Sequence, residues 1–156
     1  MHTRRIHMIL NSKCKHRFLG VFAKDRLPAK LPAKRPLILV CNTDPHYKCG
    51  EHWIVIFIGR ADTAEYFDSY GEEPLPIFRR YLDKFSSRWI HNEKRLQSVM
   101  SRLCGHYCIF YSLFKCLGYS MKDTSTNSFV ENDTTLNDYI VLYIVLSVMQ
   151  FRDNWK

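Results

Sequence analysis

Leu96–Gly118, LQSVMSRLCGHYCIFYSLFKCLG, decides the reading of this chain. From Cys104 onward it is apolar almost all round, broken mainly by His106, Ser112 and Lys115, the pattern of a helix buried in a core. Cys104 opens that helix, where unpaired N–H groups and the positive dipole end favour thiolate over thiol. Gly105 allows close approach of backbone or substrate. Gln97, seven residues upstream, carries an uncharged amide that can bind a developing oxyanion without titrating. Cys108 lies one turn further in, without the helix-end field or the adjacent glycine, and reads as packing. The stretch therefore holds a candidate nucleophile, Cys104, with Gln97 and the Cys104 N–H as candidate oxyanion donors.

A nucleophilic thiol needs a base, and the spacing upstream supplies one. HWIVIFI (52–58) is apolar on both alternating faces and reads as a central strand covered on both sides. After GRADT, AEYFDSY (64–70) returns as the second arm of a hairpin. Folded about Arg60, that hairpin sets His52 opposite Asp68. A carboxylate there fixes the imidazole's tautomer and stabilises its charged form. Singly, His52 reads as an ordinary strand histidine and Asp68 as a turn residue before Gly71; their convergence with Cys104 carries the argument. A competing zinc reading joins Cys41 to His46-x-x-Cys49-x-x-His52. It matches no four-ligand spacing and would remove the base, so no metal ligand is assigned.

The remaining segments sort by period. Residues 1–17 show no clean repeat and read as a frayed or partly helical basic lead-in to a domain spanning 18–156. FLGVF (18–22) is a short strand, LPAKLPAKRP an extended spacer, and LILVC (37–41) a buried strand. IFRRYLDKFSSRW (77–89) places Phe78, Tyr81, Leu82 and Phe85 on one stripe of a surface helix. IHNEKRLQ (90–97) reads as an edge strand delivering Gln97, and LNDYIVLYIVLSVMQF (136–151) as a last helix. The sum is a single α+β domain with a mostly antiparallel central sheet.

Composition narrows the class. A chain of 156 residues, 46% hydrophobic and 14% aromatic, suits one globular domain. The longest apolar run is too short for a bilayer and no secretory signal opens the chain, so the six cysteines read as mainly reduced, intracellular thiols. Residues 1–35 hold ten Lys/Arg against one Asp, a net +9 that leaves −1 for the other 121 residues out of a total of +8. That block suits contact with DNA phosphates or a solvated, nuclear-import type arm.

Gly50-Glu51-His52-Trp53, Tyr66-Phe67-Asp68-Ser69-Tyr70-Gly71, Gln97 and Leu103-Cys104-Gly105-His106-Tyr107-Cys108 together resemble the adenovirus protease (adenain) family and, more distantly, the SUMO-type proteases. The order His, Asp, Gln, Cys is that superfamily's order. The stretches FLGVFAKDRLP and LILVCNTD also resemble the adenain segment before its histidine, so the match covers residues 18–118. Relatives of this kind occur in viruses and in virus-like DNA transposons.

The resemblance implies roles residue by residue. His52 matches the general base, Asp68 the acid orienting it, Gln97 the oxyanion donor, Cys104 the nucleophile, and Trp53 the tryptophan beside the histidine. Asp68-Ser69 is nearer the SUMO-protease form than the Glu-Pro common in adenains, and the family's opening helix looks replaced by basic residues. The implied function is a cysteine endopeptidase cleaving virion-type precursor proteins at glycine-containing sites. A deconjugating isopeptidase for SUMO- or ubiquitin-like tails and a non-catalytic nucleic-acid-binding protein are the alternatives. No cofactor is required by the residues; peptide and DNA activators enter through the resemblance alone. A monomer is expected, away from membranes and inside the cell, with a nuclear or virion-associated location fitting the basic arm.

Overall fold

A computed structural model describes residues 1–150. β1 (Phe18–Ala23), β2 (Leu37–Asn42), β3 (Trp53–Ile58), β4 (Thr63–Phe67) and β5 (Arg88–His91) form one sheet in the order β1-β2-β3-β4-β5. The three central strands are antiparallel, as expected, while both edges, β1 on β2 and β5 on β4, join in parallel.

Alternation along the central strands divides the core into two layers. Ile38, Val40, Trp53 and Val55 face helices α1 (Thr3–Cys14), α3 (Cys104–Leu117) and α4 (Thr134–Gln150). Leu37, Leu39, Ile54, Ile56 and Ile58 face α2 (Pro76–Phe85) through its Phe78, Tyr81 and Leu82. β3 is therefore covered on both sides, as its unbroken apolar run requires.

Several boundaries differ from the sequence reading. The lead-in at 1–17 is a 12-residue helix whose Ile6, Ile9, Leu10 and Cys14 are buried in the same core as α3. Its apolar stripe keeps helical spacing, but the intervening basic residues dilute it. The surface helix stops at Phe85, and Arg88 and Trp89 belong to β5. β5 itself ends at His91, so Gln97 lies on the following loop rather than on an edge strand. The last helix reaches Gln150; the expected Phe151 and the rest of the chain lie outside the described residues. The cysteines are not all reduced: Cys14 and Cys116 form a disulfide across 102 residues, joining the ends of α1 and α3, while Cys41, Cys49, Cys104 and Cys108 are free.

α3 starts at Cys104, as its sequence suggests, and stops at Gly118. Gly118 takes φ +94, a left-handed turn that lets the Gly118 and Tyr119 N–H groups reach the last carbonyls of the helix. Among the described residues no helix is long and apolar enough to cross a membrane.

Candidate active site

His52 lies one residue before β3 and Asp68 one residue after β4, so the hairpin brings both to one end of the sheet. The register pairs Val55 with Phe67 and Ile56 with Tyr66, two residues away from the expected pairing. An even shift keeps side chains on the same face. His52 and Asp68 thus meet diagonally, with His52 Nε2 2.8 Å from Asp68 Oδ1. Tyr70 takes the place beside the imidazole, its ring stacked on His52 at 4.9 Å between centroids and 30° between planes. The His52 carbonyl accepts from the Thr43 N–H at 2.9 Å, tying the histidine to the end of β2.

Asp68 is held from both sides by Asn92, which accepts its N–H at 2.9 Å and donates to its carbonyl at 2.6 Å. The Tyr70 N–H also donates to Asp68 Oδ1 at 2.8 Å, so the oxygen facing His52 is fixed by two hydrogen bonds. Gly71 closes this turn at φ +72; a Cβ there would meet the Glu93 carbonyl oxygen at 2.7 Å. The turn therefore packs directly against the loop leading to Gln97.

Cys104 stands at the first turn of α3, 8% exposed. Gly105 is crowded by Met1, Ile6 and Trp53, so the close approach it permits is that of α1 and β3. His52 Nδ1, buried and without a hydrogen-bond partner of ordinary geometry, belongs to the ring that interacts with Cys104. Burial works against the thiolate, but His52 and the backbone N–H groups of Trp53 and Gly105 more than offset it, holding the thiol below its ordinary value. Burial likewise works against the imidazolium, and Asp68 and Cys104 reverse it, raising His52 to about 9. Cys108 is the opposite case: burial pushes its thiol well above the usual range. His106, two residues after Cys104, is pushed down to about 4 by burial and stays neutral.

Gln97 is close by but differently engaged. It is 0% exposed, and the Leu96 and Gln97 N–H groups both donate to the Ser69 carbonyl, at 2.9 and 3.0 Å. Its Oε1 accepts from Ser69 Oγ at 2.7 Å, while Nε2 faces the Ser101 carbonyl and Oγ, both at 3.1 Å, and the Tyr70 hydroxyl at 3.3 Å. Beneath this loop Asn137 and Asp138 of α4 bond Leu96, Ser98 and Tyr107. A cavity of about 530 Å³ opens over the sulfur, lined by Gly50, Glu51, His52, Trp53, Tyr70, Ser101, Arg102, Cys104 and Met1, with Gln97 behind its wall.

The sequence reading missed Tyr70, Asn92 and Ser101. Tyr70 and Asn92 act through contacts made only in the folded turn, and Ser101 had one local sign, its place between Gln97 and Cys104. The zinc alternative loses its histidines to other partners, His46 to Asp25 at 2.5 Å and His52 to Asp68. Among the described residues no three His, Cys, Asp or Glu side chains converge as metal ligands.

This architecture is the ULP-like fold of the adenain- and SUMO-protease-like cysteine proteases, with α3 carrying a cysteine beside a strand-end histidine. Among solved structures it is similar to ASFV pS273R protease, with TM-score 0.62 and 19% identity over 90% of this chain and 65% of that one. ChlaDub1 from Chlamydia trachomatis matches at TM-score 0.57 and 12% identity over 78% of this chain and 61% of that one. The central domain of the uncharacterized Lpg1148 protein from Legionella pneumophila matches at TM-score 0.55 and 12% identity over 96% and 98%. The chain thus spans less than two thirds of the pS273R and ChlaDub1 chains. No family model and no curated protein sequence matches it.

Proposed function

We propose that this chain is a cysteine protease in which Cys104 is the nucleophile, His52 the general base and acid, and Asp68 the residue that orients the imidazole. The observation that carries the reading is the convergence of three side chains at one cavity: Cys104 at the head of α3, His52 lining the same cavity, and Asp68 bonded behind the imidazole at 2.8 Å, an arrangement that lowers the Cys104 thiol and raises His52. The Cys104 thiolate adds to a peptide carbonyl carbon, forming the C–S bond as the carbonyl π pair moves onto oxygen. The Cys104 N–H and the Gln97 side of the cavity bind that oxygen. Collapse re-forms the carbonyl and expels the amine, which takes its proton from the His52 imidazolium. Water then attacks the thioester, His52 removes the water's proton, and the sulfur leaves as thiolate.

The substrate side of the reading rests on the adenain resemblance: precursor proteins of virion type, cut as endopeptidase substrates at glycine-containing sites. The Ser69 hydroxyl on Gln97 favours a second reading, a deconjugating isopeptidase, because Asp68-Ser69 is the SUMO-protease form. Purified wild type and Cys104→Ala are compared on glycine-containing peptide amides and on ubiquitin- and SUMO-tail fusions. Cleavage of the first set only, abolished by Cys104→Ala, supports the endopeptidase; cleavage of the second set only supports the isopeptidase. Absence of both, with Cys104 labelled by iodoacetamide no faster than Cys49, removes the enzyme reading. Arg4, Arg5, Lys13 and Lys15 are exposed on and just after α1 and support a DNA contact. Salt-dependent DNA binding that vanishes when these four are replaced tests it.

A further inference from the structure

We propose that Arg102 selects substrates that carry an acidic side chain beside the scissile bond; the inference rests on the acyl-transfer reading of this site and names the chemistry of its substrates. Arg102 lies two residues before Cys104 and lines the cavity over the sulfur together with Glu51, His52 and Trp53. It is exposed, and among the described residues its guanidinium makes neither a hydrogen bond nor an ion pair within the protein. The basic residues of the loop before Gln97 are committed elsewhere: Lys94 bonds Glu131 at 2.8 Å and Arg95 faces Glu72 at 3.9 Å. Of the side chains lining the cavity, only Arg102 and His52 can carry positive charge, and His52 is bound to Asp68.

The backbone on either side of Arg102 is pinned. The Ser101 carbonyl accepts from Gln97 Nε2 and the Ser101 N–H donates to the Ser98 carbonyl, both at 3.1 Å. The Leu103 carbonyl accepts from the His106 and Tyr107 N–H groups at 2.8 and 3.0 Å. The side chain therefore leaves a fixed point with its head uncommitted, a fork of N–H donors whose geometry matches a carboxylate. The Cys104 sulfur attacks as thiolate and repels a substrate carboxylate held near it, so an acidic residue there is excluded unless a cation answers it. Arg102 is that cation. Glu51 sharpens the choice, because it lines the same cavity, is exposed, and among the described residues has no ion pair with Arg102 or any other group. Two opposite charges share one cavity without closing on each other. A substrate carboxylate is drawn to the Arg102 wall and turned away from the wall that bears Glu51 and His52.

Glycine-containing peptide amides that differ only in Glu, Gln or Lys at successive positions on either side of the scissile bond test this. In wild type kcat/KM for Glu exceeds that for Gln about fivefold at one of these positions, the upper range for a solvent-exposed ion pair. Arg102→Gln brings the ratio to about one, and Arg102→Glu reverses it in favour of Lys. Each ratio is taken within one protein, so a variant that is merely less folded leaves it unchanged. Where only ubiquitin- or SUMO-tail fusions are cleaved, the same substitutions are made beside their scissile bond. A second measurement needs no turnover. Iodoacetate differs from iodoacetamide in its carboxylate, and the ratio of their Cys104 labelling rates falls about fivefold from wild type to Arg102→Glu. Arg60→Glu, the same charge change in the turn between β3 and β4, leaves both ratios near wild type. The inference is overturned, with the protease reading left standing, if wild type cleaves Glu and Gln substrates alike at every position or if the Glu preference persists in Arg102→Glu. An unchanged iodoacetate ratio in Arg102→Glu overturns it as well, since the guanidinium would then not face the sulfur. A wild type that labels rapidly at Cys104 but cleaves no peptide or fusion ends the acyl-transfer reading and this inference with it.

Discussion

His52 and Asp68 meet diagonally across the β3–β4 pair, and the 2.8 Å contact depends on an aspartate whose backbone Asn92 holds and whose carboxylate accepts from the Tyr70 N–H. Replacing Asp68 by Asn removes the charge behind the ring while keeping its size. Turnover on a susceptible peptide falls by at least about 100-fold, since the imidazolium loses its stabilising partner. The check is kcat beside the pH profile of Cys104 alkylation, which shifts toward ordinary thiol behaviour.

The opposed shifts of Cys104 and His52 set a pH window. With Cys104 lowered, alkylation persists as pH falls below the usual thiol range. With His52 raised from 6.5 to about 9, the imidazolium that protonates the leaving amine is lost as pH rises through about 9. Hydrolysis therefore declines on the alkaline side near that value while alkylation stays high. In His52→Ala, alkylation at neutral pH drops and its midpoint moves up. Parallel stopped-time alkylation and initial-rate assays from pH 5 to 10 separate the two limbs.

Gly71 combines φ +72 with a 2.7 Å approach of its would-be Cβ to the Glu93 carbonyl oxygen. Gly71→Ala is strained on both counts and lowers stability by about 1–3 kcal/mol, read as a shift of the urea midpoint. Because the displaced turn carries Asp68, Ser69 and Tyr70, kcat falls as well.

Lys115 and Glu65 form a buried ion pair at 2.9 Å between α3 and β4, with the Tyr111 hydroxyl on the same carboxylate and Phe57 beneath the ammonium. Lys115→Met leaves Glu65 unpaired and lowers stability by about 3–5 kcal/mol. The double variant Lys115→Met with Glu65→Gln, which keeps an acceptor for the Tyr111 hydroxyl, recovers part of the loss. Denaturant melts of the three proteins measure the coupling.

The Cys14–Cys116 disulfide leaves four free thiols. Alkylation in denaturant followed by mass spectrometry therefore adds four labels before reduction and six after. The bridge closes a loop of about a hundred residues, so Cys14→Ala with Cys116→Ala lowers stability by about 2–4 kcal/mol.

Much of the site was legible because its members are local features of the chain. Cys104 at the head of an apolar helix, and His52 and Asp68 at matching ends of a hairpin, follow from period and spacing alone. The contact survived a register error because the shift was even, leaving both side chains on one face. Gln97 was legible as a residue but not as a contact. Whether its amide faces substrate or Ser101 depends on Ser69 and Tyr70, which reach it only after the turn at Gly71 packs on the loop.

What the sequence alone determined is the order His52, Asp68, Gln97, Cys104 and the hairpin and helix beside His52, Asp68 and Cys104, since hydrophobic period and turn chemistry act between neighbours along the chain. What the tertiary structure decided is the burial of α1, the bridge from Cys14 to Cys116, the parallel edges of the sheet, and the orientation of Gln97 behind Tyr70. These depend on side chains far apart in sequence filling the same volume, and close packing selects among pairings that pattern leaves equivalent.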